Sequence, residues 1–127
     1  MAGAAGGAFN PSFNYKMSGQ GGVSPAVVEI TANAALPIFH GTIILSKASA
    51  ALCTLAAPTS AQEGFELTIT SATAAAHVIT ATALLADAVT GSPHTTATFA
   101  AFKGATITLV ACKGLLSVKA ATGVPVT

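Results

Sequence analysis

The chain has 127 residues, among which Ala (29) and Thr (17) are the most common, and five Lys, no Arg and four acidic residues give a formal net charge of +1. This length fits a single domain. Nucleic-acid binding relies on clusters of Lys and Arg that neutralise phosphates, and a peripheral membrane protein needs a polybasic patch or a strongly amphipathic helix. The composition provides none of these, so we expect neither nucleic acid nor membrane among the partners.

The mean hydropathy of +0.71 raises the question of a membrane span. The longest uncharged run, residues 67–86, has the length of a membrane-spanning helix. However, Ser, several Thr and His77 interrupt it, and it lacks the apolar content that such a helix needs. The first residues also lack the cationic and Leu-rich regions of a secretory signal. We therefore expect synthesis in a cytoplasm.

Residues 1–25 form a segment of small residues with three aromatic side chains and one charge, which cannot build a core of its own. Ordering about 25 residues costs on the order of 25–50 kcal/mol, while burying each aromatic returns about 1.5–3 kcal/mol. An ordered arm therefore needs a long groove or a sheet edge on another chain. Composition alone favours the alternative, a flexible linker or leader. As partner-binding residues of this extended N-terminal arm, contacting another chain, the sequence predicts Phe9, Asn10, Pro11, Phe13, Tyr15 and Lys16.

The remaining residues, 26–127, are predicted to form one β domain. Short β-branched runs at 27–30, 38–45 and 51–55 predict three strands, and residues 57–64 (APTSAQEG) predict a turn. The next run, FELTITS, alternates with the period of two of a half-buried strand. One face takes Phe65, Leu67 and Ile69, and the other takes Glu66, Thr68 and Thr70.

Four further strands follow from the same signals. Runs at 77–83, 96–102, 105–112 and 115–120 are rich in Thr, Val and Ile, which fit a pleated sheet better than a helix. Residues 84–95 predict a loop because Gly91 and Pro93 break the pattern. Eight short strands punctuated by Gly and Pro predict an all-β fold, a small antiparallel, jelly-roll-like sandwich or barrel.

Chemically reactive residues show no spacing that indicates a catalytic or metal site. Cys53 and Cys112 match no metal spacing, and we expect buried thiols on strands. No G-x-S-x-G elbow surrounds any Ser, and no phosphate-binding loop is present. His77, at the start of a strand, is expected to bond a backbone carbonyl or cap a turn. The sequence therefore predicts no enzyme, no cofactor and no metal.

From Gly41 onward the order of turn and strand signals resembles that of a group of small tailed-bacteriophage virion proteins. The resemblance covers about two thirds of the chain, from GTIILSKASAALCTLAAPTSAQEGFELTITSATAAAHVITATA to a terminal GVPV. One departure is the pair Leu115 and Leu116, where similar chains usually have an aromatic residue. The positions that match the recurring punctuation are Leu55, Pro58, Gly64, His77, Phe99, Gly104 and Gly114.

The resemblance implies a homotrimer that decorates or cements the outer surface of a phage capsid, with the major capsid protein as partner. Similar chains also occur in head fibres and tail appendages, so a tail or fibre module that binds a host glycan through residues 84–95 is an alternative. A third reading is a small hydrolytic or metal-binding domain whose site is assembled from His40, His77 or His94.

Overall fold

The computed structural model describes residues 26–89, 91 and 93–127, so the predicted arm lies outside the described residues. Within the described part the chain forms eight β-strands and one short 3-10 turn at Ser60–Gln62. The strands are β1 (Val27–Ile30), β2 (Gly41–Leu45), β3 (Leu52–Thr54), β4 (Glu66–Ser71), β5 (Val78–Ala86), β6 (His94–Thr98), β7 (Thr106–Cys112) and β8 (Leu115–Thr122).

The all-β prediction is confirmed, and each of the eight predicted runs overlaps a strand. The alternation in β4 is also confirmed, because Leu67 and Ile69 are buried while Thr68 and Thr70 are partly exposed. The predicted loop at 84–95 is too long. β5 continues to Ala86 and β6 already begins at His94, because Leu85 pairs with both β6 and β8.

The strands form one curled sheet in the order β1-β2-β4-β7-β8-β5-β3, with β6 paired to β5. The sheet is mixed, since four of the seven strand pairings among the described residues are parallel. The prediction of an antiparallel sheet was therefore wrong for β1–β2, β2–β4, β3–β5 and β5–β8. Period-two alternation reports which residues share a face, but it does not report the direction of the neighbouring strand.

Strand β5 joins the two halves of the sheet because it bends. Its first residues, Val78 to Thr80, pair with β3 on one side and β6 on the other, whereas Leu85 and Ala86 pair with β8. The register shifts between Thr80 and Leu85, and Ala83 within this interval has a left-handed φ of 55°. A bulge of this kind bends a strand and increases its twist, so the sheet curls around its own inner face.

The inner face of the curled sheet holds the hydrophobic core. Phe99, which follows β6, is fully buried, as are core residues from β2, β4, β5 and β7. Residues from both halves of the sheet therefore share one core, and neither half buries its apolar face alone. The largest buried apolar side chains are Phe99, Ile43, Leu45, Leu67, Ile69, Ile79, Leu85, Ile107, Leu109 and Leu116.

His77 is a fully buried structural residue at the end of the sheet where β4 ends and β5 begins. Its Nδ1 accepts a hydrogen bond from the Ala51 N–H at 2.9 Å. The Thr73 hydroxyl donates to the Lys47 carbonyl at 2.7 Å, so it accepts from His77 Nε2 at 2.9 Å. The ring is therefore the neutral Nε2–H tautomer. The ring bonds a backbone N–H rather than the carbonyl that the sequence suggested, and its edge faces Phe99.

Within the described part of the chain, no helix has the length and apolar character needed to cross a membrane.

We predict that the fold loses stability when the pH falls below about 6.5, the ordinary value for histidine. Burial, and secondarily the positive charge of Lys47, lowers the pKa of His77 in the folded state. His77 therefore makes its full contribution to the free energy of unfolding at pH values above the pKa of the unfolded state. This contribution falls as the pH drops toward the lowered pKa of the folded state, because only the unfolded chain takes up the proton. Urea unfolding at pH 7.5 and at successively lower pH measures this loss.

The control for this effect is substitution of the other two described histidines. His40→Gln and His94→Gln should keep the decline in stability between pH 7 and pH 5, whereas His77→Gln should flatten it. An unchanged decline in His77→Gln would contradict the assignment of the effect to the buried ring.

Candidate interaction surfaces

The arm joins the domain at the end of the sheet where β2 begins. The Ala26 carbonyl accepts a hydrogen bond from the Thr42 N–H at 3.0 Å, which continues the β1–β2 ladder by one residue. A Cβ at Gly41 would collide with the Ala26 carbonyl and with the ring of Phe39, so only glycine allows this approach. The close packing fixes where residues 1–25 leave the domain.

Strand β1 lies at one end of the sheet and pairs only with β2 among the described strands. The Ala26 and Ile30 carbonyls accept bonds from Thr42 and Ser46, so residues 26, 28 and 30 direct their backbone polar groups toward β2. Because these groups alternate along a strand, Val27 and Glu29 direct theirs away from the sheet. The described residues leave this edge open, and an open edge is a template for pairing with another strand.

The outer edges of β3 and β6 are covered by other parts of the same chain. The Leu52 N–H donates to the Asn33 side chain at 2.9 Å, and Thr54 exchanges bonds with the backbone of Ala34 and Leu36. On β6, the Thr96 and Thr98 N–H groups donate to residues 127 and 125 near the C-terminus. The edges of β3 and β6 are thus hydrogen-bonded to other described segments, whereas the described residues leave the edge of β1 open.

The outer face of β4 and β7 carries a small array of paired threonines. Thr68 and Thr108 lie opposite each other with their hydroxyl oxygens 3.3 Å apart, and the hydroxyls of Thr70 and Thr106 are 2.8 Å apart. Cross-strand Thr pairs of this kind stabilise a sheet, and they also give it an uncharged surface of short side chains.

All four carboxylates of the chain accept hydrogen bonds within the fold. Glu29 accepts from the Ser46 hydroxyl at 2.6 Å, and Glu63 accepts from the Lys113 N–H at 2.6 Å. Glu66 pairs with Lys119 on the outer face at 3.0 Å, and Asp87 lies 2.9 Å from His94 Nε2. These acidic groups hold strands and turns in place.

The loop between β5 and β6 contains the half-buried pair of Asp87 and His94. Asp87 also accepts from the Val89 N–H at 3.0 Å, and Ala88 has a left-handed φ of 65°. Val89 is 82% exposed at the tip. A depression of about 180 Å³ lies beside this pair, lined by Ala86, Asp87, Ala88, Gly91, Pro93 and Leu115.

The structure does not bring the three histidines together into a site. His40 accepts from the Glu66 N–H through Nδ1 at 3.1 Å near the start of β2, while His77 is buried at the opposite end of the sheet. His94 pairs with Asp87. In the described residues no group of three or more His, Cys, Asp or Glu could hold a metal ion.

The two cysteines are free thiols in different environments. Cys53 is buried on β3, as predicted, but the prediction was wrong for Cys112, which is exposed. Alternation explains the difference, because Ile107, Leu109 and Ala111 face inward and the next residue of β7 therefore faces outward. Cys112 lines a groove of about 430 Å³ together with Pro58, Thr59, Ser60, Glu63, Ala111, Lys113 and Gly114.

The residues predicted to bind a partner, Phe9, Asn10, Pro11, Phe13, Tyr15 and Lys16, lie outside the described residues. The open edge of β1 and the threonine array were not predicted as surfaces. The T-x-T spacing at 68–70 and 106–108 was a usable signal for the array. No signal in the sequence indicated which strand would lie at the end of the sheet.

Comparisons with protein-family models, with curated proteins and with solved structures found no match to this chain. Its function is therefore inferred from its own residues and geometry.

We predict that one of the two thiols reacts in the folded protein. An exposed thiol reacts rapidly with a disulfide reagent, whereas a buried thiol reacts only after the protein unfolds. Native protein should release one equivalent of chromophore quickly and a second only in denaturant. Cys112→Ser should abolish the fast phase, and Cys53→Ser should leave it intact. Two fast equivalents in the native protein would contradict the burial of Cys53.

Proposed function

We propose that this chain is a capsid decoration protein that binds the outer shell of a tailed bacteriophage as a homotrimer and stabilises it. The arm, with Phe9, Phe13 and Tyr15 as apolar anchors, contacts the major capsid protein or a neighbouring subunit. The β domain covers the junctions between shell subunits. Its role is mechanical, because surface buried across these junctions opposes their separation under internal pressure.

The observation that carries this proposal is that all four carboxylates accept hydrogen bonds from other groups of the same chain. Acid–base catalysis and metal binding often use carboxylates directed at a substrate or an ion. Here Glu29, Glu63 and Glu66 bond to segments far apart in sequence, and Asp87 bonds within its own loop. The acidic residues thus serve the rigidity of the domain, which is what a structural component of a particle needs.

The surface of the domain also fits an assembled state. Four lysines balance the four acidic residues within residues 26–127, which gives this part of the chain no formal net charge when His is neutral. A surface without net charge has little electrostatic protection against association. Many identical copies on one shell bind with avidity, so modest affinity per copy is sufficient for stable attachment.

A tail or fibre module that binds a host glycan is the second candidate, and the loop between β5 and β6 favours it. Asp87 and His94 could bond sugar hydroxyls beside the depression. The depression measures about 180 Å³, below the roughly 300–1,000 Å³ of typical small-molecule sites. This size favours decoration over glycan binding.

We predict that replacing the three aromatic anchors abolishes attachment to shells. The variant Phe9→Ser/Phe13→Ser/Tyr15→Ser removes about 1.5–3 kcal/mol of apolar burial per residue. Three such losses should weaken binding by more than about 100-fold. Co-sedimentation with shells assembled without this chain, from the virus that encodes it, measures the effect.

The matched control changes the arm without removing its anchors. Ser12→Ala/Ser18→Ala should bind shells like the unmodified chain because it keeps all three anchors. Wild-type protein that fails to co-sediment with shells would overturn the proposal. Binding that instead disappears in Asp87→Ala/Val89→Ser would support the glycan-type loop as the contact.

A further inference from the structure

Residues 9–18 of the arm alternate between apolar and polar side chains. This period of two over ten residues is typical of a β-strand with one buried face. Pro is compatible with such a strand only at an edge or where its position needs no N–H. The odd positions are Phe9, Pro11, Phe13, Tyr15 and Met17, and the even positions are Asn10, Ser12, Asn14, Lys16 and Ser18.

The open edge of β1 has two faces that match this pattern. Val28 and Ile30 are partly buried and pack against the core, whereas Val27 and Glu29 are exposed. A strand added at this edge continues the core side with its apolar residues and the outer side with its polar residues. Glu29 is the single charged residue of β1, and Lys16 is the single charged side chain of the arm. Both belong to the polar face.

The backbone groups of this edge favour one direction for the added strand. Val27 and Glu29 direct their N–H and C=O groups outward. With apolar faces matched, an antiparallel strand presents the backbone groups of its even-numbered residues to them, whereas a parallel strand presents those of its odd-numbered residues. Pro11 is odd-numbered and has no N–H to donate. The antiparallel arrangement therefore leaves every hydrogen-bonding position of the arm strand with a donor.

The side chains then select a register. Pairing Tyr15 with Val28 and Phe13 with Ile30 places both aromatics opposite the two core-facing residues of β1, in the closely spaced non-hydrogen-bonded positions. Aromatic and β-branched residues are favourable cross-strand partners. In this register Lys16 lies diagonal to Glu29, at a separation that a long side chain spans.

We propose that residues 9–18 supply an antiparallel strand to the β1 edge of a neighbouring copy, with residues 13–16 opposite Val27–Ile30, so that each subunit of the trimer receives the arm of the next. This inference rests on the proposed trimer and names the partner of the arm. Residues 19–25 span up to about 25 Å, enough to reach an adjacent subunit. Ala26 is held in line with β1 because its carbonyl accepts a bond from the Thr42 N–H.

Cysteine cross-linking between two singly substituted chains tests this exchange. Tyr15→Cys and Val28→Cys are placed in separate full-length chains, each with Cys112→Ser, and the two chains are coexpressed and oxidised. Opposite residues at a non-hydrogen-bonded position have Cα atoms about 4.5 Å apart, within disulfide range. Peptide mapping should find a 15–28 disulfide, which must join two chains because each chain carries one of the two cysteines.

The matched control moves one cysteine to the other face of the arm. Lys16→Cys coexpressed with Val28→Cys should give no 16–28 disulfide, because the side chains point to opposite faces. Absence of the 15–28 link between chains would overturn the inference. So would a 15–28 link that forms only when both cysteines are in the same chain, since that result means the arm folds back on its own β1.

Amide exchange of the unsubstituted protein provides a measurement that needs no cysteine. The outward-facing N–H groups of Val27 and Glu29 should exchange slowly, and Phe13→Ser/Tyr15→Ser should remove that protection. Val28 and Ile30 should stay protected in both, because they pair with β2. Fast exchange at Val27 and Glu29 in the unsubstituted protein would contradict the added strand.

The two proposals can fail separately. A 15–28 link between chains in a protein that does not bind shells would refute capsid decoration and leave the strand exchange standing. A protein that binds shells without forming the link would refute the exchange and leave decoration standing.

Discussion

The bend in β5 is the constraint on which the rest of the domain depends. One continuous strand pairs with β3 and β6 at its start and with β8 at its end, and the register shift between Thr80 and Leu85 makes this change of partner possible. Without the bend, the half of the sheet containing β4 and β7 and the half containing β3 and β6 would present their apolar faces to water. With it, Ile69, Ile107 and Phe99 meet in one core.

The curled sheet has one edge available for interaction. The sheet curls around its core, but β1 remains at one end of the strand order. The chain protects the edges of β3 and β6 with its own coil segments and leaves the edge of β1 open within the described residues. The arm joins the domain directly before this strand. A β domain without formal net charge, with an open edge next to an arm that carries three aromatic residues, is a suitable component for the proposed repeating assembly.

Sequence reasoning predicted the elements that depend on local alternation. Leu67, Ile69, Ile107 and Leu109 face inward because apolar and polar residues alternate along β4 and the first part of β7. The extension of β5 was missed because LLADA has no alternation, and its pairing depends on β8, about thirty residues further along the chain. The parallel pairings were missed for the same reason, since strand direction is set by distant partners. His77 was correctly expected to be structural, but its contacts with Ala51 and Thr73 require the tertiary fold.

The most direct test of the proposed decoration role is to count the chain in purified native virus particles. Quantitative mass spectrometry with isotope-labelled peptides gives the ratio of this chain to the major capsid protein. The account predicts a copy number comparable to that of the shell protein, reduced by washing particles of the Phe9→Ser/Phe13→Ser/Tyr15→Ser variant. A few copies per particle would contradict decoration and indicate a tail or fibre component, and absence from particles would contradict a virion role altogether.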